Sequence, residues 1–281
     1  MAKVTVIIPC FNHGRFVDEA VDSILAQTFA DFEIFIVNDG STEPFTIAKL
    51  CDYKKPKTTV WHKENGHLSS ARNFGISHAN SEYILALDAD DRFAPQFLEK
   101  AVAILDNEPK VGVVSCWAET FGDEKKTVTH KTGGDVKSFL THNACAASCL
   151  FRKKCWVDAS GYDETMKQGY EDWNFWLAVT KLGWLVNTIP EPLFFYRVTE
   201  SSMVTHSDKM RPELIRRLVQ NHRQVYVENI EQVVYELEQQ SQKLASELEA
   251  LRSSPSHRVG RCLTNPLAAC RGIFKRLGQK D

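Results

Sequence analysis

Between Val4 and Cys116 the chain alternates short β-branched runs with segments of helical periodicity, and this alternation limits the folds open to it. Val4 to Pro9, Glu33 to Val37, Thr58 to Trp61, Tyr83 to Leu87 and Val111 to Cys116 read as buried strands. Phe16 to Gln27, Ser69 to Ala79 and Pro95 to Leu105 carry apolar residues at helical spacing, the last with proline near its first turn. Strands alternating with helices of this length predict an α/β fold with a mainly parallel, doubly wound sheet. Ligands bind such sheets outside the carboxyl ends of the strands. Polar clusters stand at three of those ends: Asn12 and His13, Asp39, and Asp88 to Asp91.

The second half is less regular. Ala144 to Phe151 reads as a strand, Glu171 to Leu182 as a helix, and Leu185 to Ile189 and Leu193 to Tyr196 as two short strands. From about Pro212 the pattern becomes one long helix. Val227, Ile230, Val234, Leu237, Ser241, Leu244, Leu248 and Leu251 follow a heptad seam interrupted by Ser241, which suits helix pairing or a long helix packed back on its own domain. A tail follows with Arg258, Arg261, Arg271, Lys275 and Arg276 interleaved with apolar residues, a pattern suited to an anionic membrane surface. The expected division is a domain over 1–205, a helical extension over 206–252 and a basic amphipathic tail over 253–281. At 281 residues and 43% hydrophobic content the chain can form one sizeable domain with an appendage.

The net charge of -2 gives no field for nucleic acid. The opening MAKVTVIIPCFN is a poor signal peptide, and no stretch reaches the roughly 20 apolar residues of a membrane span. The expected location is therefore cytoplasmic, with peripheral docking on the inner face of the cell membrane through the tail. The eight cysteines are scattered without Cys-x-x-Cys pairs and read as reduced, mostly core thiols.

The sharpest chemical feature is LALDADDRF at 85 to 93, a buried strand ending in three carboxylates. Like charges so crowded raise one another's proton affinity unless a cation neutralises them, and aspartate oxygens suit Mg²⁺ or Mn²⁺. By themselves these aspartates fit a helix cap equally well. VNDGST at 37 to 42 is an Asp-Gly turn whose Asp39 can accept hydrogen bonds from a base or ribose. In NGHLSSARNFGI, 65 to 76, a polar loop enters a helix whose first-turn amides, with Arg72 close by, suit an anion. GYEDWNFW at 169 to 176 places Glu171 and Asp172 at a helix start among aromatics, where a general base is one reading and a dipole effect another. Trp173 and Trp176 read as core more readily than as a sugar platform.

Together these segments resemble glycosyltransferase family 2, the inverting enzymes of GT-A fold. The resemblance rests on VIIPCFN at 6 to 12, VNDGST at 37 to 42, the 65 to 73 motif ending in Ala-Arg-Asn, LDADD at 87 to 91 and GYED at 169 to 172, and spans about residues 3 to 200. It implies a Rossmann-like sheet and metal-dependent, inverting transfer from a nucleotide-diphosphate sugar, usually UDP-linked. The expected acceptor is a glycan or lipid-linked molecule in surface polysaccharide or glycoconjugate assembly. The donor is expected to contact Pro9, Asn12, Asp39, Asn65, Arg72, Asp88 and Asp91. Asp39 resembles the base reader and Asp88 the residue near the ribose. Asp90 resembles the metal ligand for Mn²⁺ or Mg²⁺, and Asp172 the catalytic base, with Glu171 beside it. The family also implies a histidine shortly after the Tyr196-Arg197 pair. Thr199 stands there instead, and His206 is the candidate replacement ligand. Two rival readings are a nucleotidyltransferase, for which PCFNHGR is a poor phosphate loop, and an inactive sugar-binding scaffold that oligomerises through its helix.

Overall fold

A computed structural model describes residues 1–122, 126–198 and 203–257, with backbone alone for 203–208. Its compact units are Met1–Glu228 and Asn229–Asp281.

The first unit is built on β1 (Val4–Cys10), every residue of which is buried. Such a strand must be covered on both faces, which explains its continuous apolar run. It pairs in parallel with β2 (Phe32–Asp39), Val4 opposite Phe32, and on its other side with β4 (Tyr83–Ala86), Val4 opposite Tyr83. Beyond β2 lies β3 (Thr58–Lys63), also parallel. The crossovers are α1 (Val17–Leu25), α2 (Pro44–Cys51) and α3 (His67–His78). The order β3-β2-β1-β4 reverses direction at β1, so the carboxyl ends of β1 and β4 open a crevice between them. Gly75 lets α3 lie close on the sheet: a Cβ there would stand 2.7 Å from Ile7 Cγ2 and 3.0 Å from Val37 Cγ2.

The remaining strands are β5 (Arg92–Phe93), β6 (Val111–Gly122), β7 (Val128–Thr129), β8 (Leu150–Arg152) and β9 (Leu185–Val198). They extend the sheet in the order β4-β8-β6-β9-β5, with β7 on β6. β8 is antiparallel to both neighbours, while β6 and β9 run parallel through irregularities near Trp117. The two short strands expected at 185–189 and 193–196 are one strand. Pro190 and Pro192 fall at its irregular stretch, where a proline interrupts the ladder without ending it. The strand expected over Ala144 to Phe151 is confined to Leu150–Arg152. Its earlier part is a loop, in which the Ala146 amide bonds Ser115 Oγ at 3.1 Å.

Helices α4 (Phe97–Asn107), α5 (Lys153–Asp158) and α6 (Glu171–Thr180) complete the body. Trp173 and Trp176 on α6 are buried, so they are core rather than platform. Five of the six cysteines in the described residues are buried free thiols, and Cys51 is exposed. The single helix expected from Pro212 is three: α7 (Met203–Asn221), α8 (Arg223–Glu228) and α9 (Ile230–Ser253). The chain breaks at His222, whose buried ring bonds Asn174 Oδ1 at 3.0 Å instead of continuing a surface helix. On α9 the seam residues Ile230, Val234, Leu237, Leu244, Leu248 and Leu251 are exposed. The basic residues from Arg258 onward lie outside the described residues. No described helix is long and apolar enough to cross a membrane.

Candidate active site

The loop after β1 is held open by Asn12, which adopts a left-handed backbone with φ of 58°. Its side-chain oxygen accepts from the amides of Thr42 at 2.8 Å and Glu43 at 2.9 Å, and its own amide donates to Ser41 Oγ at 3.1 Å. The loop is thereby tied to the turn after β2, with Phe11 and His13 flanking the tie. In that turn Asp39 is buried and accepts from Lys63 Nζ at 2.7 Å and the Gly66 amide at 3.0 Å. Asn65 Nδ2 donates to the Asp39 carbonyl at 2.8 Å. Gly40 has φ of +68°, and a Cβ on it would stand 2.6 Å from the Asn65 nitrogen. Only glycine closes this turn without strain.

After β4 the three aspartates have different partners. Asp88 bonds Arg72 Nη2 at 2.8 Å. Asp91 is buried and accepts from the Arg197 amide at 2.8 Å, while Arg197 Nε reaches the Asp90 carbonyl at 2.9 Å. Thus β9 braces the cluster. Among the described residues no lysine or arginine lies within 4.0 Å of the Asp90 carboxylate; the basic side chain in that range is His13, with Nδ1 at 3.9 Å. Burial, reinforced by the charge of Asp88, pushes the Asp90 carboxyl above the ordinary carboxylate range. Asp91 is pushed up by the same causes with Asp90 added. The Asp90 carboxylate, under-neutralised and facing the cleft beside Asp88, fits a hard divalent cation. Asp90 would hold such an ion, and no group of three or more ligating side chains gathers among the described residues, so it would need donors from the substrate as well.

The second carboxylate pair enters through a strained turn. Gly169 has φ of 115° and Tyr170 of 61°, and α6 begins immediately afterwards. Glu171 is buried and bonds Arg72 Nη1 at 2.9 Å. Burial pushes its carboxyl up to about 7, against the lowering effect of Arg72. Arg72 is fully buried, so both ends of its guanidinium are taken by carboxylates. Asp172 is half-buried and accepts from Asn143 Nδ2 at 2.7 Å.

A cleft of about 640 Å³ opens above these turns. It is lined by Pro9, Asp39, Asn65, Asp88 and Asp90 of the expected residues, together with Phe11, His13, Arg15, Lys167 and Tyr196. Asn12, Arg72, Asp91, Glu171 and Asp172 do not line it; the first four hold the lining in place, and Asp172 stands on α6, bonded to Asn143. Thr199 and the His206 side chain lie outside the described residues. Asn143 and Lys167 were not anticipated. Asn143 sits in a segment that reads as the edge of a strand, and Lys167 in a loop with no periodicity.

Residues 5–156, more than half the chain, match the family model described as glycosyl transferase family 2. A Haemophilus influenzae protein called an uncharacterized glycosyltransferase is 29% identical over 234 residues, covering 76% of this chain and 72% of that one. A Rickettsia bellii protein of the same description is 39% identical over 106 residues, which are 37% of this chain and 15% of that one. The fold is similar to that of S. aureus TarS solved in complex with UDP-GlcNAc, with a TM-score of 0.61 and 19% identity over 72% of this chain and 60% of that one. The chain thus spans less than two thirds of the length of both the Rickettsia protein and the TarS structure.

Proposed function

This chain belongs to glycosyltransferase family 2, and from that premise we propose that it transfers a sugar, with inversion, from a UDP-linked donor to a glycan or lipid-linked acceptor in surface polysaccharide or glycoconjugate assembly. The observation that carries this reading is the Arg72 bridge. One buried guanidinium bonds Asp88 at 2.8 Å and Glu171 at 2.9 Å, which joins the aspartate cluster to the start of α6 and supports reading them together. The UDP-GlcNAc held by TarS supports the choice of donor class.

In this reading the donor occupies the cleft. Its nucleoside lies toward Asp39 and Asn65, and its diphosphate toward Asp90. A bound Mn²⁺ or Mg²⁺ would supply charge stabilisation to the departing diphosphate. Lys167 and Arg15, both exposed at the cleft, add positive charge there. Asp172 removes the proton from the acceptor hydroxyl as that oxygen attacks the anomeric carbon, and the bond to the diphosphate breaks on the opposite face. The hydrogen bond from Asn143 aims the carboxylate. Glu171 serves as the ion-pair partner that holds α6 to Arg72.

The test is hydrolysis of UDP-sugars with and without metal, for wild type and Asp90→Ala. Turnover that needs metal and falls about 10²-fold or more in the variant supports the reading. Metal-independent turnover unchanged by the substitution overturns it, as does the absence of turnover with any donor, which would favour the scaffold. The exposed α9 seam supports self-association, to be checked by sedimentation of Leu244→Glu. The tail is proposed to hold a cytoplasmic enzyme at the inner membrane face. Liposome flotation that survives deletion of residues 253–281 would refute that.

A further inference from the structure

We propose that His13 is a second protein ligand of the cation held by Asp90, and that its imidazole tilts the site toward first-row transition ions such as Mn²⁺ over Mg²⁺. This rests on the metal-dependent reading above and concerns a residue that reading leaves unused.

The geometry comes first. His13 Nδ1 stands 3.9 Å from Asp90 Oδ2. That is too long for a hydrogen bond. It does suit two ligands of one ion, which at about 2.1 Å each stand roughly 3 to 4 Å apart. Both residues line the same cleft. No lysine or arginine of the described residues comes within 4.0 Å of the Asp90 carboxylate; Arg197, the cation that acts on it, bonds the backbone carbonyl instead.

The backbone that presents His13 is built rather than incidental. On one side Asn12 is pinned by its bonds to Ser41, Thr42 and Glu43. On the other, the Gly14 amide donates to Thr46 Oγ1 at 2.9 Å. The His13 carbonyl itself accepts from the amides of Phe16 at 2.9 Å and Val17 at 3.2 Å, opening α1. The ring is steadied edge-on by Phe16, with centroids 5.9 Å apart. Asn12 holds a left-handed conformation to bring this about. A strained residue fixed by several bonds beside a cleft marks a position whose side-chain placement matters.

The chemistry then assigns the metal. Asp90 alone offers one carboxylate, so an ion there takes its other ligands from substrate phosphates, water or a second side chain. A nitrogen donor adds affinity along the transition series, while Mg²⁺ gains little because it prefers oxygen and water. With one carboxylate and one imidazole, the remaining positions stay open to diphosphate oxygens and water.

The experiment measures binding in the intact chain, without turnover. Mn²⁺ binding is followed by its paramagnetic resonance signal in the presence of UDP, with Mg²⁺ as competitor. Wild type, His13→Ala, His13→Gln and Asp90→Asn are compared, and thermal unfolding without metal confirms that each is folded. The expected result is a loss of Mn²⁺ affinity of about tenfold or more in both His13 variants, with Mg²⁺ affinity changed far less. Unchanged Mn²⁺ and Mg²⁺ affinities in both His13 variants, with binding lost in Asp90→Asn, overturn the inference and leave the metal-dependent reading standing. An equal fall in UDP affinity with Mn²⁺, with Mg²⁺ and without metal makes His13 a nucleotide contact and also overturns it. Absence of Mn²⁺ binding in wild type with UDP removes the metal-dependent reading itself.

Discussion

Replacing Arg72 with methionine tests the bridge on which the functional reading rests. The substitution keeps an unbranched apolar stem and removes the charge from a side chain that is wholly buried. With charge centres near 4 Å and an effective dielectric of 20, each of its two ion pairs contributes roughly 4 kcal/mol before desolvation. Desolvation of three ions offsets much of this. The measurable loss is dominated by the charge left stranded, about 3–5 kcal/mol when one partner of a buried pair is removed. The stranded group is Glu171, whose carboxyl is already pushed up to about 7 by burial, while Arg72 pulls it down. Without Arg72 its proton affinity rises further. A carboxyl with a raised folded pKa binds its proton in the native state at pH values where the unfolded chain has lost it. Native stability therefore falls as pH climbs from the unfolded value of 4.5 toward the folded one. Wild type stops losing at about 7, and the variant continues beyond. The variant's deficit should thus be largest near pH 8.5. Near pH 5.5, where Glu171 is protonated in both proteins, it should shrink toward the loss of the charged hydrogen bond to Asp88. That bond is worth about 1.5–3 kcal/mol, at the lower end because Asp88 keeps part of its side chain in water. Urea unfolding at the two pH values measures this, and adding Glu171→Gln should restore most of the high-pH loss. Equal deficits at both pH values, with no recovery in the double variant, would refute the argument.

Asn143→Leu should lower kcat by up to ~10²-fold with the donor KM nearly unchanged, because it misplaces Asp172 without touching the cleft; a rise in donor KM alone would contradict this. Asp172→Asn should lose ~10²–10⁴ in rate while still binding UDP, as seen by calorimetry. Gly75→Val should destabilise by about 1–3 kcal/mol in urea, since its side chain enters the space of Ile7 and Val37. Gly40→Ala should weaken UDP binding more than it lowers the unfolding temperature, because the strain falls on the turn that carries Asp39 and Asn65.

The strand ends were legible because each buried run stops at residues that cannot continue it, and ligand-facing groups of an α/β sheet collect there. That reasoning brings Asp39, Asp88 and Asp90 to one cleft. It does not distinguish a lining residue from the one that holds it. Arg72 reads as an anion contact beside a helix start, yet its partners lie 16 and 99 residues away, and no local pattern encodes them. Asn143 is hidden for the same reason, since its bond to Asp172 spans 29 residues. The two short strands expected at 185–189 and 193–196 are one because an irregular register absorbs Pro190 and Pro192. The helix break at His222 is set by burial against Asn174, a tertiary contact that overrides helical propensity.

One signal was both local and informative, and it concerns backbone strain. Of the five non-glycine residues with positive φ among the described residues, Asn12, His67 and Tyr170 stand at cleft loops, each just ahead of or at the start of a helix. His67 lines the cleft itself, and Asn12 lies between two residues that do. Lys57 and Ser160 do not line it. A side chain in the left-handed region is tolerated only where neighbouring contacts over-determine it. Here those contacts are the bonds that join one loop to the next: Asn12 to the turn after β2, and Asp39 to the amide of Gly66 beside His67. Conflict between local preference and tertiary bonding is therefore concentrated at the mouth of the sheet. Relieving it should separate the two. A glycine at position 12 would accept the backbone angle but lose the side-chain ties to Thr42 and Glu43, so Asn12→Gly should keep the fold and loosen the His13 loop. If the bonds matter more than the angle, Asn12→Gly and Asn12→Ala should lose nucleotide affinity equally; full affinity in Asn12→Gly with loss in Asn12→Ala would make the angle decisive.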